Sequence, residues 1–256
     1  MKKSYRYFIY LSYLGINFKG WQKQPGTLTV QQKLEESLSI LLKTPTEVTG
    51  TGRTDTEVHA RKYTAHFDYS SLLSGEEKAQ LCFKLNRILP PDISIEKIVR
   101  VKSDAHARFS AIKRSYEYCI CRRKDPFLIK RAWQVEWPLN FESMQQASQI
   151  LMEYSDFESF SKSNTQVNNY LCTITQSGWE KRGHLWVYKI SSNRFLRNMI
   201  RAIVGTLTDV GAEKISLEEF KDIIVSKDRK NAGYSVPGYG LYFLGAEYQE
   251  EIFEEN

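Results

Sequence analysis

Apolar and polar positions first alternate and then shift to a helical period. Tyr5, Tyr7, Ile9, Leu11 and Tyr13 alternate with Arg6, Phe8, Tyr10 and Ser12, a β-prone run that predicts a strand. Val30, Leu34, Leu38, Leu41 and Leu42 then share one helical face. Ahead of them stands Thr29-Val-Gln-Gln32, a capping-box sequence in which Gln32 is expected to reach back to the cap, and Pro45 ends the run. Strands are expected at about 47–51 and 59–69. Ser74-Gly-Glu-Glu77 is a second capping box, opening a helix with Leu81, Leu85, Ile88 and Leu89 that stops at Pro90-Pro91. Residues 93–101 read as a strand again. The order to this point is β-α-β-β-α-β, the split unit of ferredoxin-like sheets.

The second half follows the same plan. Residues 115–122 alternate as a strand, and Asn140 caps a helix bearing Met144, Ala147 and Leu151. Residues 171–179 and 185–191 read as a hairpin turning near Arg182-Gly183. A helix is expected over 194–210, a third capping box at Ser216-Leu-Glu-Glu219, and a closing strand over 240–248. The fold class expected is α+β, with two ferredoxin-like halves forming one extended antiparallel sheet. Their expected extents are 1–110 and 111–256, a duplication inferred from element order alone because no residue-level repeat is visible. The loop over 159–170 is polar and long, as functional loops often are.

Composition narrows the class. Hydrophobic residues at 41% and aromatics at 13% describe a folded chain. No apolar run approaches the roughly 18 residues of a membrane span, and Arg6 and Ser12 interrupt any signal-like core behind the first lysines. Cys82, Cys119, Cys121 and Cys172 form no CxxC pair, which suits reduced thiols and a cytoplasmic protein. Net charge is +6, and its distribution matters more. Between Lys113 and Arg131 seven Lys/Arg face only Glu117 and Asp125, while five glutamates gather in the last ten residues. A basic patch of this kind suits a polyanion.

Several chemistries find no support. His59, His66 and His106 show no zinc-ligand spacing with Asp55, Asp68 or Asp104, so no metal is expected. Gly50-Thr-Gly52 lacks the third glycine of a dinucleotide loop, Asp55 holding its place, and no P-loop lysine or GxSxG elbow is present. Arg194, Arg197 and Arg201 would form a stripe along the predicted helix. Spacing leaves open a solvated face or a stripe aimed at RNA phosphates with one arginine turned inward to a carboxylate. Asp55, beside Arg53 in the run GTGRTDTEVHA, is similarly either a solvated turn or a reactive centre.

Five blocks in order carry a resemblance. Besides the RTD run, Tyr13 to Gln22 reads Y-L-G-I-N-F-K-G-W-Q. His106-Ala-Arg-Phe-Ser-Ala111 precedes Arg114-Ser-Tyr-Glu-Tyr118; Phe195-Leu-Arg-Asn-Met-Ile-Arg201 precedes Gly205; and Pro237 to Leu241 precedes the last strand. Together they resemble the tRNA pseudouridine synthase A family across nearly the whole chain. The resemblance implies two ferredoxin-like halves with a cleft, a homodimer, no cofactor and no metal, and conversion of uridine to pseudouridine in the tRNA anticodon stem-loop. It implies Asp55 as the catalytic aspartate and Arg53 as the arginine that assists base flipping. It makes Tyr116 the stacking tyrosine, Arg201 the arginine paired with the aspartate, and Leu241 the apolar pocket wall. His106, Arg108 and Phe109 fall in its RNA-contacting segment. This chain departs at Thr56-Glu57, where the family usually has Ala-Gly; Glu57 then occupies a place whose backbone angle favours glycine. It departs again with SVPG near 235–238. A sheet-surface RNA binder without catalysis would carry an RNP1-like run, and none is present.

Overall fold

A computed structural model describes residues 4–163 and 168–254, so the middle of the 159–170 loop lies outside the described residues. In chain order they hold β1 (Tyr5–Tyr13), α1 (Val30–Leu42), β2 (Thr49–Gly50), β3 (His59–Tyr69), α2 (Gly75–Ile88), β4 (Ile93–Val101) and β5 (Ala111–Cys121). Then come β6 (Trp133–Gln134), α3 (Phe141–Ile150), β7 (Ile174–Arg182), β8 (Leu185–Ser192), α4 (Met199–Gly211), α5 (Leu217–Ser226) and β9 (Leu241–Tyr248). The class is α+β with mostly antiparallel pairing, as the element pattern predicts. Contacts divide the chain into two compact units, residues 1–112 with 242–256 and residues 113–241.

In the first unit β1 lies between β4 and β3, antiparallel to both, and β2 pairs antiparallel with β3 at Thr49 and Gly50. That is the strand arrangement of the split βαββαβ unit. Tyr7, Ile9 and Leu11 are buried as the alternation requires, yet Phe8 and Tyr10 on the opposite face are buried too. They pack with Val101, Ala105 and Ala107 under Tyr248, Ile252 and Phe253. The second face of β1 is therefore covered by the end of the chain, which explains its aromatic rather than polar filling.

Two helix starts separate pattern from outcome. Ser74 completes its capping box, Glu77 returning to the Ser74 N–H at 2.8 Å. Thr29 accepts from the Gln32 N–H at 3.3 Å, but the Gln32 amide donates forward to Glu36 at 2.8 Å instead of capping backward. A carboxylate one turn away is the stronger partner for that amide.

The second unit orders β5, β8 and β7 as an antiparallel set, with β6 parallel to β5. The β7–β8 hairpin turns at Gly183, whose φ of 61° is left-handed. Helices α3, α4 and α5 pack on one another, and α3 lies on β7. Helix α4 begins at Met199, five residues later than the pattern predicts. Asn198 stops it from extending back, with φ of 66° and a side-chain amide tied to the Ser235 hydroxyl. Arg194 and Arg197 consequently precede the helix, and the expected helical stripe of three arginines does not exist; Arg201 alone stands on α4. The helix itself is buried along nearly all its length, a core helix and not a solvated one.

The sequence assigns 111–256 to a second half, whereas β9 from Tyr242 onward groups with the first unit. It runs parallel beside β3, pairing Tyr242 with His59 and Phe243 with Ala60. The Tyr242 ring lies 4.6 Å from His59, and Phe243 packs edge-on against Tyr63 at 5.6 Å. No helix among the described residues is long and apolar enough to cross a membrane.

Gly205 on α4 faces the Tyr234 carbonyl so closely that a Cβ would overlap it, and both partners are backbone. Gly205→Ala is expected to destabilise the protein by about 1–3 kcal/mol, read as a lower denaturant midpoint in urea unfolding.

Candidate functional site

The turn between β2 and β3 is built from below by aromatic residues. Trp21 packs on Tyr63 with centroids 4.1 Å apart, and the Tyr63 hydroxyl donates to the Gly52 carbonyl. Gly50 has no room for a side chain, since a Cβ would strike both rings. Trp21 N–H donates to the Thr54 carbonyl at 3.2 Å, and Thr51 N–H to Thr64 at 2.8 Å. Inside the turn the Tyr13 and Thr54 hydroxyls share a buried hydrogen bond of 2.8 Å. Gly20, at φ of 87°, lets the backbone approach the Thr54 carbonyl where a Cβ would collide. After the turn, Val58 N–H returns to the Asp55 carbonyl at 3.2 Å, and the His59 Nδ1 accepts from Gly15 N–H at 2.9 Å.

The outcome is an alternation. Thr51, Thr54 and Val58 are buried, Asp55 is half-buried and Arg53 is exposed. A solvated Asx-turn has no need of a buried hydroxyl pair and two aromatic supports on its neighbours, so this turn is held more firmly than solvation alone requires. Glu57 has φ of 65°, the left-handed backbone expected where the family places glycine, at a cost of about 1–2 kcal/mol for an L side chain.

Tyr13, Gly20 and Trp21 come from the Tyr13–Gln22 block, a motif to which the sequence alone gives no task, and Tyr63 comes from β3. The signal was available: that block supplies two glycines and three aromatics with Lys19 as its one charge, a composition suited to lying beneath a neighbouring backbone. Tyr248 was missed entirely. Its hydroxyl donates to the Ala107 carbonyl at 2.7 Å and lies 3.2 Å from the Thr51 hydroxyl, linking the foot of the Asp55 turn to the 105–110 loop. In that loop His106 is half-buried, while Arg108 and Phe109 are exposed, Phe109 to 75%.

Tyr116, Arg201 and Leu241 belong to the second unit, Asp55, Arg53 and the 105–110 loop to the first. Tyr116 is half-buried on β5 with its ring edge-on to Phe195 at 5.3 Å. Arg201 Nε donates to the Val236 carbonyl at 2.6 Å, and Val236 N–H to the Arg201 carbonyl at 3.2 Å. Leu241 is buried at the start of β9. Between them the 232–240 segment is fastened from several sides. Gly233 N–H donates to Thr206 at 2.9 Å, Arg229 to Ala232 at 3.1 Å and Ser235 at 3.0 Å, and the Tyr118 hydroxyl to Pro237 at 2.9 Å. Burial pushes the Tyr118 phenol far above its ordinary pKa, so it stays a donor at any physiological pH. Tyr118 is the second tyrosine of the RxYxY run and a structural post, fully buried where Tyr116 is half-buried. All four cysteines are free thiols.

The family profile described as tRNA pseudouridine synthase matches residues 147–249. A curated protein of Parabacteroides distasonis named tRNA pseudouridine synthase A is 48% identical over 248 residues, covering 97% of this chain and 98% of its own. Its namesake in Bacteroides fragilis is 46% identical, with 97% and 98% covered. That of Bacillus subtilis is 38% identical, with 93% and 97% covered.

Tyr13→Phe and Thr54→Val each remove the buried hydrogen bond the two hydroxyls share and are expected to cost about 1–3 kcal/mol in urea unfolding. Because the two hydroxyls serve each other, the double variant should cost less than the two losses added, with a coupling of roughly 0.5–3 kcal/mol.

Proposed function

The chain belongs to the tRNA pseudouridine synthase A family, a family of tRNA-uridine isomerases, and from that premise we propose that it acts on uridines of the anticodon stem-loop with Asp55 as its catalytic carboxylate. The observation that carries the reading is the support beneath Asp55: a half-buried acid on a turn whose neighbours are tied down by Tyr13, Gly20, Trp21 and Tyr63.

The reaction breaks the bond from C1′ to uracil N1, forms one from C1′ to C5, and exchanges the C5 proton. Nothing is oxidised or reduced, so one well-placed carboxylate suffices. It acts as a nucleophile, as a base toward the sugar, or as a counter-charge to an oxocarbenium-like centre. A uridine stacked in a stem has to be flipped out first, at a cost of a few kcal/mol. Arg53, exposed two residues from the acid, fills the vacated space. Tyr116 stacks on the uracil, contributing about 1–3 kcal/mol. Arg201 pairs with the carboxylate, and Leu241 forms an apolar wall. His106, Arg108 and Phe109 sit against the RNA, with the cations between Lys113 and Arg131 holding phosphates by shape more than by sequence. The working enzyme in this reading is a cytoplasmic homodimer that needs no cofactor or metal.

The test is tritium release from unmodified tRNA labelled at uridine C5, run in parallel on an anticodon stem-loop oligonucleotide. Wild type should release tritium from both. Asp55→Ala should bind tRNA and release none. Binding without release by the wild type would point to an RNA-binding module instead. Release from tRNA whose anticodon-arm uridines are replaced by cytidine would remove the stem-loop assignment. Arg201→Ala is expected to slow turnover at neutral pH on the order of a hundredfold, the loss typical of one electrostatic partner at a reacting centre. Tyr116→Phe tests whether the phenol also relays the proton released from C5: undiminished turnover leaves stacking as its sole role.

A further inference from the structure

Arg108 and Phe109 are exposed, while Ala105 and Ala107 beside them are buried, Ala107 completely. An alternation this sharp in a loop without secondary structure needs a hold on the backbone. On β3, His66 Nδ1 accepts from the Ala107 N–H at 3.1 Å. A peptide N–H can only donate, so this nitrogen carries the lone pair and the ring is neutral with its proton on Nε2. His106 repeats the device within the loop, its Nδ1 accepting from Arg108 N–H at 3.0 Å and Phe109 N–H at 3.3 Å. The two imidazoles meet edge to face at 4.7 Å, and His106 packs on Phe109 at 4.4 Å.

The rest of the loop is fastened around that contact. Arg6, bound bidentately to Asp68, donates to the Ala105 carbonyl at 3.1 Å, and Tyr248 holds the Ala107 carbonyl. Ser110 closes the loop on His106 in both directions at 2.9 Å. Burial, then Arg6 and His106, lower the His66 pKa to about 4, so its acceptor is available at physiological pH.

We propose that His66 is a positioning residue for the tRNA reaction: by holding the Ala107 peptide through Nδ1, it presents Arg108 and Phe109 to RNA without touching RNA itself. The proposal rests on the reading that Arg108 and Phe109 contact tRNA. Its effect belongs to substrate binding, because a loop already set in its bound form spares the ordering cost on association.

The experiment compares steady-state tritium release on tRNA for wild type, His66→Leu, His66→Asn and the double variant Arg108→Ala/Phe109→Ala. Leucine keeps apolar bulk without an acceptor; asparagine returns an oxygen near the Nδ1 place. His66→Leu should raise KM on the order of tenfold with kcat within about twofold of wild type, and His66→Asn should recover most of that loss. Equal KM for the leucine and asparagine variants, or a loss falling on kcat, overturns the proposal. A double variant with unchanged KM removes the RNA-contact reading, and the positioning role with it. A raised KM there beside an unchanged one in His66→Leu removes the positioning role alone. Should His66→Leu fail to fold, His66→Gln replaces it, because its longer amide reaches the Nε2 place instead. Asparagine must then lie closer to wild type than glutamine, and equivalence of the two refutes the role.

Discussion

The hydrogen bond between the Tyr13 and Thr54 hydroxyls, buried at the end of β1, is the constraint on which the site depends. It joins the Tyr13–Gln22 block to the run that holds Asp55 and leaves Asp55 one residue beyond a fixed point. Around it, Gly20 admits the Thr54 carbonyl, Trp21 donates to it, and Tyr63 closes on Gly52. Each contact is modest on its own, about 1 kcal/mol net for an ordinary hydrogen bond. Together they remove the freedom of a turn that would otherwise sample many conformations, as the catalytic role proposed for Asp55 would require.

The same unit uses the end of the chain as a lid on its sheet. Tyr248, Ile252 and Phe253 cover Phe8 and Tyr10, so β1 is apolar on both faces without being a parallel-sheet strand. Tyr248 then spends its hydroxyl on Ala107 and stands beside Thr51. Core packing, the Asp55 turn and the loop of Arg108 and Phe109 therefore share one side chain, and a change in any of them is felt by the others.

In the second unit the hold is different. Helix α4 is buried, and the 232–240 segment is laced to it by Thr206 and Arg201, to β5 by Tyr118, and to Arg229 beyond α5. Arg201 divides its work: its Nε is committed to the Val236 carbonyl, which fixes the stem of the side chain and orients the guanidinium. Of the three arginines that helical spacing would align, Arg201 alone stands on α4.

Element type was legible in the sequence wherever periodicity ran for several turns or residues: β1, β3, β4, α1, α2 and α5 stand within a residue or two of their patterns, and the serine caps of α2 and α5 close as read. Ends set by local backbone chemistry were not legible. The start of α4 depends on Asn198 adopting a left-handed angle and on Ser235 being near, and Gln32 chose Glu36 over its own cap. The candidate residues were likewise named by motif, and the left-handed angle at Glu57 followed from a missing glycine. What the chain alone could not disclose is which distant residues support them. Tyr13 under Thr54, His66 under Ala107, and Tyr248 between two loops are contacts of large sequence separation, and β9 grouping with the first unit is of the same kind. Periodicity records which face of an element is apolar, because burial repeats with the backbone. It holds no record of the partner against which that face closes, and only the tertiary structure decides that.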